Sequence, residues 1–544
     1  MKKNQFLSLI FIVLILSGCT AKTRYSFDDE TFHFDISTEP PSLDWNTISD
    51  TTSSNIVDNI MDGLTAYNFT KSEVGITPAL AESWTISPDG KVYTFKIRKG
   101  VKWTDGAELK AKHFADGWKR LVDPKTASPY ATYLSFVKNG REISAGKKPV
   151  DSMGVEAIDD YTFRVTLENV TPYFLFATTH GATYPIRLDV VEKFGDKWTD
   201  AKNIVTLGPF KLKEWNHDKN IILERNDTYW GEKPKIKTMV AQMVLETSTA
   251  LSLFESGQLD HIQTIPNFEL ERVKKDPKLL QSLKTGPNFS NVYFGFNTRK
   301  PPFNDPNVRK AFASSIDRVS VLKAIRRDFT PLLSWIPTGM LGYNSNIGLK
   351  FNPSNAKEYL RAAGYIEKNG KWISKESGKE FPKIRLAITP NESAKILVEN
   401  LQTQWRNNIG IEPELYFEEW KVYLRTLELD PPEIFYMGWV ADYPDPDTFM
   451  QIFRSYSSDN RTGWKSAEYD RLVTEAGTTL DNGKRVSLYN SAQRLLAEEA
   501  NPFIPLYTST QNYLMKPFVK GFIVNPMRQW RYSGIYLERG SYKD

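Results

Sequence analysis

Three aspartates, Asp442, Asp445 and Asp447, lie close together in the chain, and closely spaced carboxylates are typical ligands of calcium. The segment lacks the glycine and the distal glutamate of an EF-hand loop, and Pro444 and Pro446 stiffen it. The five histidines form no H-x-x-H or H-x-x-x-H pair, and the chain has one cysteine. The sequence therefore does not favour a metal site, and we expect no cofactor.

Three short motifs have the residue types of penicillin-recognising enzymes: Ser144-Ala-Gly-Lys147, Lys284-Thr-Gly286 and Ser458-Asp-Asn460. Those enzymes use S-x-x-K, S-D-N and K-T-G in that order, whereas K-T-G comes second here and is predicted to lie among turn residues before Pro287. The chain also has no G-x-S-x-G elbow, Walker A loop or dinucleotide fingerprint. We therefore predict that it is not an enzyme and that any ATP-driven step needs separate subunits.

The single cysteine, Cys19, follows a segment with the properties of an export signal. Two lysines precede the apolar residues 6–16, a run too short to span a membrane. The run ends in Leu-Ser-Gly-Cys, which resembles the lipobox of bacterial lipoproteins, in which the cysteine is lipidated. We predict that residues 1–18 are a lipoprotein signal peptide and that Cys19 anchors an extracytoplasmic protein, in the periplasm or at the cell surface. An ordinary secretory signal is the alternative.

Composition limits the classes of partner and indicates several domains. The 544 residues are 40% hydrophobic and 13% aromatic, enough to build more than one core. Loss of the signal peptide lowers the formal net charge from +5 to +3, and no dense basic stripe indicates nucleic acid binding. No later segment approaches 18 consecutive apolar residues.

Strand and helix patterns alternate along the chain. Residues 91–98 and 161–167 alternate apolar and polar side chains, which predicts half-buried strands. Asp305 and Pro306 predict the start of a helix whose apolar face continues to Leu322. Further predicted elements are a helix at 353–364, a strand at 383–388, a helix at 393–410 and a strand at 412–417. The last three predict a parallel β-α-β unit, and therefore an α/β fold.

Four blocks of residues carry a family resemblance. In chain order they are P-A-L-A-E-S-W at 78–84, D-P-K-T-A-S-P-Y at 123–130, V-Y-F-G-F-N at 292–297 and M-G-W-V-A-D-Y-P-D-P at 437–446. Together they resemble the extracellular solute-binding proteins of family 5, which include oligopeptide-, dipeptide- and nickel-binding proteins. The resemblance runs from about residue 40 to 510.

The resemblance implies a two-lobed fold of the type II periplasmic-binding-protein class, with an additional inserted α+β lobe and a ligand cleft between the lobes. The implied ranges are 20–62, 190–289 and 508–544 for the first main lobe, 63–189 for the inserted lobe and 290–507 for the second main lobe. The chain would cross between the main lobes near residues 289 and 507. His113 and His180 would both lie on the inserted lobe and would not converge.

The resemblance also implies the residues of the site. Asp442 would bind the α-ammonium of a peptide, and the backbone of Gly438, Val440 and Ala441 would pair with the ligand. Trp439 and Trp420 would line pockets for side chains, and Tyr130 would reach the ligand from the inserted lobe.

Some positions depart from the best-known oligopeptide-binding relatives. An arginine and a histidine that help to hold the ligand's carboxylate are replaced here by Tyr436 and by Ala394, which is followed by Lys395. A glutamate near the N-terminus is replaced by Ser49, which is followed by Asp50. We still expect Tyr436 to line the site. The ligand's carboxyl end is then bound by another cation or by water.

The function that the resemblance implies is the capture of oligopeptides and their delivery to the permease subunits of an ABC importer, by a monomer on a lipid anchor. The alternatives are a binding protein for a cell-wall peptide or a metal chelate, and a sensor or adhesin lipoprotein with the same fold. Peptide length and sequence preference stay open.

Overall fold

The structure, a computed structural model, describes residues 29–69, 74–327, 329–390 and 392–541. The predicted signal peptide and Cys19 lie outside these residues. Within them, no helix combines the length and the apolar character that crossing a membrane requires.

A seven-stranded sheet forms the first main lobe. Its order is Leu283–Gly286, Gln511–Met515, His261–Ile262, Thr31–Ile36, Thr238–Met243, Asn220–Arg225 and Phe210–Asn216. The central strand Thr31–Ile36 runs parallel to both of its neighbours, and its side chains from Phe32 to Ile36 are buried. The helices here are Thr51–Ile60, Thr247–Glu255, Leu270–Lys275 and Pro277–Ser282.

A six-stranded sheet forms the second main lobe. Its order is Thr330–Pro331, Phe503–Thr508, Ser290–Phe296, Ile434–Val440, Arg385–Ile388 and Glu414–Phe417. The last two strands pair in parallel and are joined by the helix Glu392–Ile409, which confirms the predicted β-α-β unit. The other α-helices include Pro306–Ser314, Arg318–Ala324, Pro353–Ala362, Trp420–Leu429, Asp447–Met450, Ala467–Thr478 and Asn482–Arg494.

A four-stranded antiparallel sheet forms the inserted lobe, in the order Ala81–Ile86, Val92–Ile97, Thr162–Thr166 and Val155–Asp159. The two central strands are those predicted from alternating polarity. The helix Ala111–Val122 packs on this sheet, and the shorter α-helices are Gly140–Ser144, Phe174–Ala177 and Leu188–Phe194.

Two local predictions were wrong. The helix that begins at Pro306 does not continue to Leu322, because the Asp317 carboxylate accepts hydrogen bonds from Val319 N (3.0 Å) and Ser320 N (3.3 Å) and caps a second helix. Lys284-Thr-Gly286 is not a turn, because it belongs to a strand that pairs with Gln511–Met515.

The chain crosses between the two large sheets at residues 287–289 and 509–510, directly between paired strands. The crossings are hydrogen-bonded to each other: Ser509 N donates to Ser290 O (2.9 Å), and Asn288 Nδ2 donates to Ser509 Oγ (2.8 Å). Apart from Thr508, the strands of each large sheet fall within one implied lobe. The exact lobe boundaries stay a prediction.

Candidate ligand-binding site

A cavity of about 330 Å³ lies between the lobes, and residues of all three lobes line it. This volume lies within the range of small-molecule sites. All eight of the predicted ligand-binding residues line this one cavity: Tyr130, Trp420, Tyr436, Gly438, Trp439, Val440, Ala441 and Asp442. The structure therefore brings together residues that the sequence separates by some 300 positions.

One wall of the cavity is a strand with a free edge. Ile434–Val440 pairs with Ser290–Phe296 along its whole length, but with Arg385–Ile388 only at Ile434 and Phe435. Among the described strands, residues 436–440 therefore have a neighbour on one side only. The Tyr423 hydroxyl accepts a hydrogen bond from Tyr436 N (2.9 Å) and donates one to Tyr436 O (2.6 Å), so the open edge is residues 437–440. Gly438 is exposed at this edge and has no side chain to block an approaching backbone. Such an edge can accept an extended ligand as an additional strand.

Asp442 lies just beyond the end of this strand, and its carboxylate is held by neutral groups. Tyr130 Oη donates to Oδ1 (2.7 Å), and Thr448 Oγ1 donates to Oδ2 (3.2 Å). Burial raises the pKa of Asp442 to about 8, and the hydrogen bonds from Tyr130 and Thr448 oppose that rise. The only basic side chain in ion-pair contact with it is that of His180, among the described residues.

His180 is a cavity residue that sequence reasoning missed. Its Nδ1 accepts a hydrogen bond from Ala182 N (3.2 Å), and its Nε2 lies 3.5 Å from Asp442 Oδ1. Burial lowers the pKa of His180 to about 4, so the ring is neutral and supplies no positive charge at pH 7. The ring stacks on Tyr130, with centroids 5.3 Å apart and planes 7° apart. His113 lies elsewhere and accepts a hydrogen bond from Trp103 (3.3 Å).

Contacts across the cavity join the inserted lobe to the second main lobe. Tyr67 Oη donates to Asp442 O (2.9 Å), and the hydroxyls of Thr132 and Ser458 are 2.9 Å apart. The Tyr130 ring also stacks on Trp439, at a centroid distance of 6.3 Å and an angle of 7°. The lobes are therefore in contact around the Asp442 carboxylate.

The two aspartates after Asp442 have a different environment. Asp445 accepts two hydrogen bonds from Arg485 (2.7 and 2.8 Å), and Asp447 accepts one from Arg454 (3.0 Å). The structure thus supplies each of these carboxylates with its own cation, which leaves neither as a calcium ligand. Within the described part of the chain, no three His, Cys, Asp or Glu side chains are grouped as a metal site would require.

Asp50 of the first main lobe and Trp420 of the second main lobe both belong to the site. Both line the cavity, and Trp420 begins a helix that the carboxylate of Glu419 caps. Burial raises the pKa of Asp50, whereas hydrogen bonding from Ser53 lowers it. Trp439 is only 9% exposed, and its indole N–H has no hydrogen-bond partner among the described residues. A ligand group in the cavity can satisfy that donor.

A second cavity, of about 250 Å³, continues from the first. Five residues line both cavities: Ser290, Val292, Tyr436, Arg528 and Trp530. Ala394 lines the second cavity, whereas Lys395, the neighbouring cation, lines neither of the two. Sequence reasoning did not find Arg528, because no motif surrounds it.

The sequence profile of the bacterial extracellular solute-binding proteins, family 5 Middle, matches residues 75–461. The chain belongs to this family. Its members are binding proteins of the extracellular or periplasmic space.

Family 5 relatives match almost the whole chain. The oligopeptide-binding protein OppA of Bacillus subtilis is 33% identical over 543 residues, which cover 96% of this chain and 97% of that protein. The crystal structure of Haemophilus influenzae OppA in complex with the peptide RPPGFSPFR has a TM-score of 0.86 at 30% identity, covering 93% of this chain and 99% of that one. These matches confirm the predicted two-lobed α/β fold of the type II class.

A third family 5 member indicates the conformation. The murein tripeptide binding protein MppA of Escherichia coli has a TM-score of 0.86 at 27% identity, with 93% of this chain and 98% of that chain covered. Its unliganded open form, with 93% and 97% covered at 28% identity, has a TM-score of only 0.62. The lobes of this chain are therefore arranged unlike those of that open form, in agreement with the contacts across the cavity.

Proposed function

We propose that this chain is an extracytoplasmic binding protein that captures oligopeptides in the cavity and delivers them to the permease of an ABC importer. The observation that carries the proposal is the free strand edge at residues 437–440, which leads to the buried Asp442 carboxylate. All peptides share a backbone and an α-ammonium. The strand edge offers a partner to the backbone, and Asp442 offers one to the α-ammonium.

The energetics favour a peptide of varied sequence. Backbone hydrogen bonds to the strand edge contribute affinity without selecting side chains. The α-ammonium supplies the cation that Asp442 lacks, and a charge-assisted hydrogen bond of this kind contributes about 1.5–3 kcal/mol. Trp420, Trp439 and Tyr130 offer large apolar surfaces to the ligand's side chains.

We propose further that the protein works as a monomer on a lipid anchor at Cys19 and does not catalyse a reaction. The three motifs of the penicillin-recognising type support the last point, since they lie far apart in the fold. Ser144 ends a helix of the inserted lobe, Lys284 lies in the seven-stranded sheet, and Ser458 lies in the second main lobe, in contact with Thr132. A Cys19→Ser change is expected to release the protein from membranes, which cell fractionation measures.

The peptide proposal is tested by native mass spectrometry of the chain from residue 20, purified from cells. We expect a ladder of added masses that fragment as mixed short peptides, and we expect Asp442→Asn to lose most of that ladder. A single non-peptide mass or a metal adduct would contradict peptide capture and would favour a chelate. One cell-wall peptide would narrow the substrate, and a sensor or adhesin function predicts that Asp442→Asn leaves function in cells intact.

A further inference from the structure

Arg528 occupies the junction of the two cavities and presents a free cation to both. Its guanidinium makes no hydrogen bond and no ion pair with the residues that the structure describes. Its backbone has a φ of +53°, in the left-handed region that side chains other than glycine's rarely adopt. The Asn525 side chain stabilises this turn, since Oδ1 accepts from Gln529 N (3.0 Å) and Nδ2 donates to Gln529 O (3.0 Å). The arginine is therefore held in place by its backbone and not by a salt bridge.

The charge of Arg528 is only weakly compensated. Burial lowers the pKa of Arg528, and the carboxylate of Asp35 opposes that shift without forming an ion pair. Asp35 accepts a hydrogen bond from Gln263 N (2.8 Å), and burial raises the pKa of Asp35 to about 7, so it carries only part of a negative charge near neutral pH. An anionic group of a ligand in the cavity would neutralise the remaining positive charge of the Arg528 guanidinium.

The other basic residues that line the two cavities are hydrogen-bonded, lie at the Asp442 end or are neutral. Arg327 donates to Ile265 O and to Asn267 Oδ1. Arg461 acts electrostatically on Asp459, which in turn raises the pKa of Asp442, so this arginine belongs to the Asp442 end. His180 is neutral. Among the described lining residues, Arg528 is thus the cation available for an anion at the far end.

The register of the paired strands gives the distance from Asp442 to the junction of the two cavities. Ser290 and Val292, which line both cavities, pair with Val440 and Gly438, and Tyr436 itself lines both. The junction therefore lies beside strand positions two to six residues before Asp442. At about 3.3 Å per residue this is roughly 7–20 Å, the span of about two to six residues of an extended peptide.

We propose that Arg528 binds the free α-carboxylate of short peptides, of about two to six residues, whose α-ammonium lies at Asp442. The guanidinium can donate two parallel hydrogen bonds to a carboxylate. Longer peptides would pass this point into the second cavity, and Arg528 would then meet an uncharged part of the ligand. This inference rests on the proposed function and names the substrate class of the same site.

The test compares tetra-alanine with its C-terminal amide by isothermal titration calorimetry. For the wild-type chain from residue 20 we expect the free acid to bind about tenfold tighter or more. Arg528→Gln should reduce acid affinity to within about twofold of that variant's affinity for the amide, whereas Arg528→Lys should keep part of the preference. Arg326→Gln is the matched control, because Arg326 has a similar backbone (φ +50°) but is exposed and lines neither cavity.

The outcomes separate this inference from the proposed function. If no peptide binds the wild-type chain in either form, peptide capture itself is wrong. If peptides bind and Arg528→Gln keeps the full acid preference, or the wild type has none, the role of Arg528 is overturned while capture stands. If Arg528→Gln fails to fold, wild-type binding of alanine peptides of four and nine residues decides, since only the shorter one should prefer the free acid.

Discussion

The aspartates of the short segment 442–447 lie in two regions of the protein with opposite electrostatic environments. In the second main lobe, Asp445 and Asp447 are ion-paired with Arg485 and Arg454, and these side chains are 1–12% exposed. We call these two ion pairs the base. At the cavity wall, Asp442 is equally buried but is held by hydroxyl groups and a neutral histidine. The protein supplies the countercharge in the base, whereas an incoming ligand can supply it at the wall.

The difference shows how to distinguish structural from ligand-binding carboxylates. Ionising a buried carboxyl group without a cationic partner is costly. A fold that gives Asp445 and Asp447 an arginine each and leaves Asp442 without one therefore has a reason outside its own stability. The comparison therefore predicts that substitutions in the base affect stability and that substitutions at the wall affect binding.

The largest effect is expected in the base. Asp447→Ala should lower the free energy of unfolding by about 3–5 kcal/mol, because it leaves Arg454 buried without its carboxylate. Urea unfolding followed by circular dichroism measures this. The control is Asp430→Ala, which removes an exposed partner of Lys300 and should leave the urea concentration at the unfolding midpoint unchanged. An Asp447→Ala protein as stable as the wild type would remove the distinction between the two regions.

At the wall, the expected effect is on affinity. Asp442→Asn should weaken binding of a peptide with a free α-amino group by about 10- to 100-fold, because the charge-assisted hydrogen bond is lost. Affinity for the N-acetylated peptide should be the same in variant and wild type. Calorimetric titrations measure the affinities for both peptides. In the absence of ligand, the variant should unfold at a urea concentration no lower than that of the wild type. Equal loss for both peptides would mean that Asp442 acts by shaping the site.

A matched pair of tyrosines sharpens the comparison. Tyr130 Oη donates to Asp442 and Tyr173 Oη donates to Asp447, both at 2.7 Å. Tyr130→Phe should weaken peptide binding by about 2- to 10-fold, the value of one hydrogen bond, with little change in stability. Tyr173→Phe should lower stability and leave affinity unchanged. Titration and urea unfolding of both variants check this, and the reverse pattern would contradict it.

The smallest effect is a dependence on pH. The raised pKa of Asp442, about 8, means that the ligand-free protein holds a proton there at pH 7, and a nearby ammonium lowers that pKa. Peptide binding should therefore release a proton at pH 7. Affinity should rise from pH 6 towards 8 and fall above it, as the peptide amine loses its own proton. Calorimetry in buffers of different ionisation enthalpy measures the release, which Asp442→Asn should abolish.

Local patterns predicted individual elements of the fold, whereas the family resemblance implied the two-lobed arrangement and the residues of the candidate site. The β-α-β unit at 385–417 follows from periodicity, and Asp442 and Trp439 lie in a block with a strong family resemblance. His180 and Arg528 were beyond the sequence, because only folding places them beside distant residues. Asp317 did carry a signal, since an aspartate before a helical run is a typical cap.

The contacts between lobes that bypass the ligand have a kinetic consequence. The Tyr67 bond to Asp442 O and the Thr132–Ser458 contact join the inserted lobe to the second main lobe without any ligand atom. A bound peptide can leave only when these bonds break, so the opening rate sets an upper limit on its dissociation rate. The residence time of a peptide then depends on these contacts between the lobes as well as on the ligand. Peptides of very different affinity can therefore dissociate at the same slow rate.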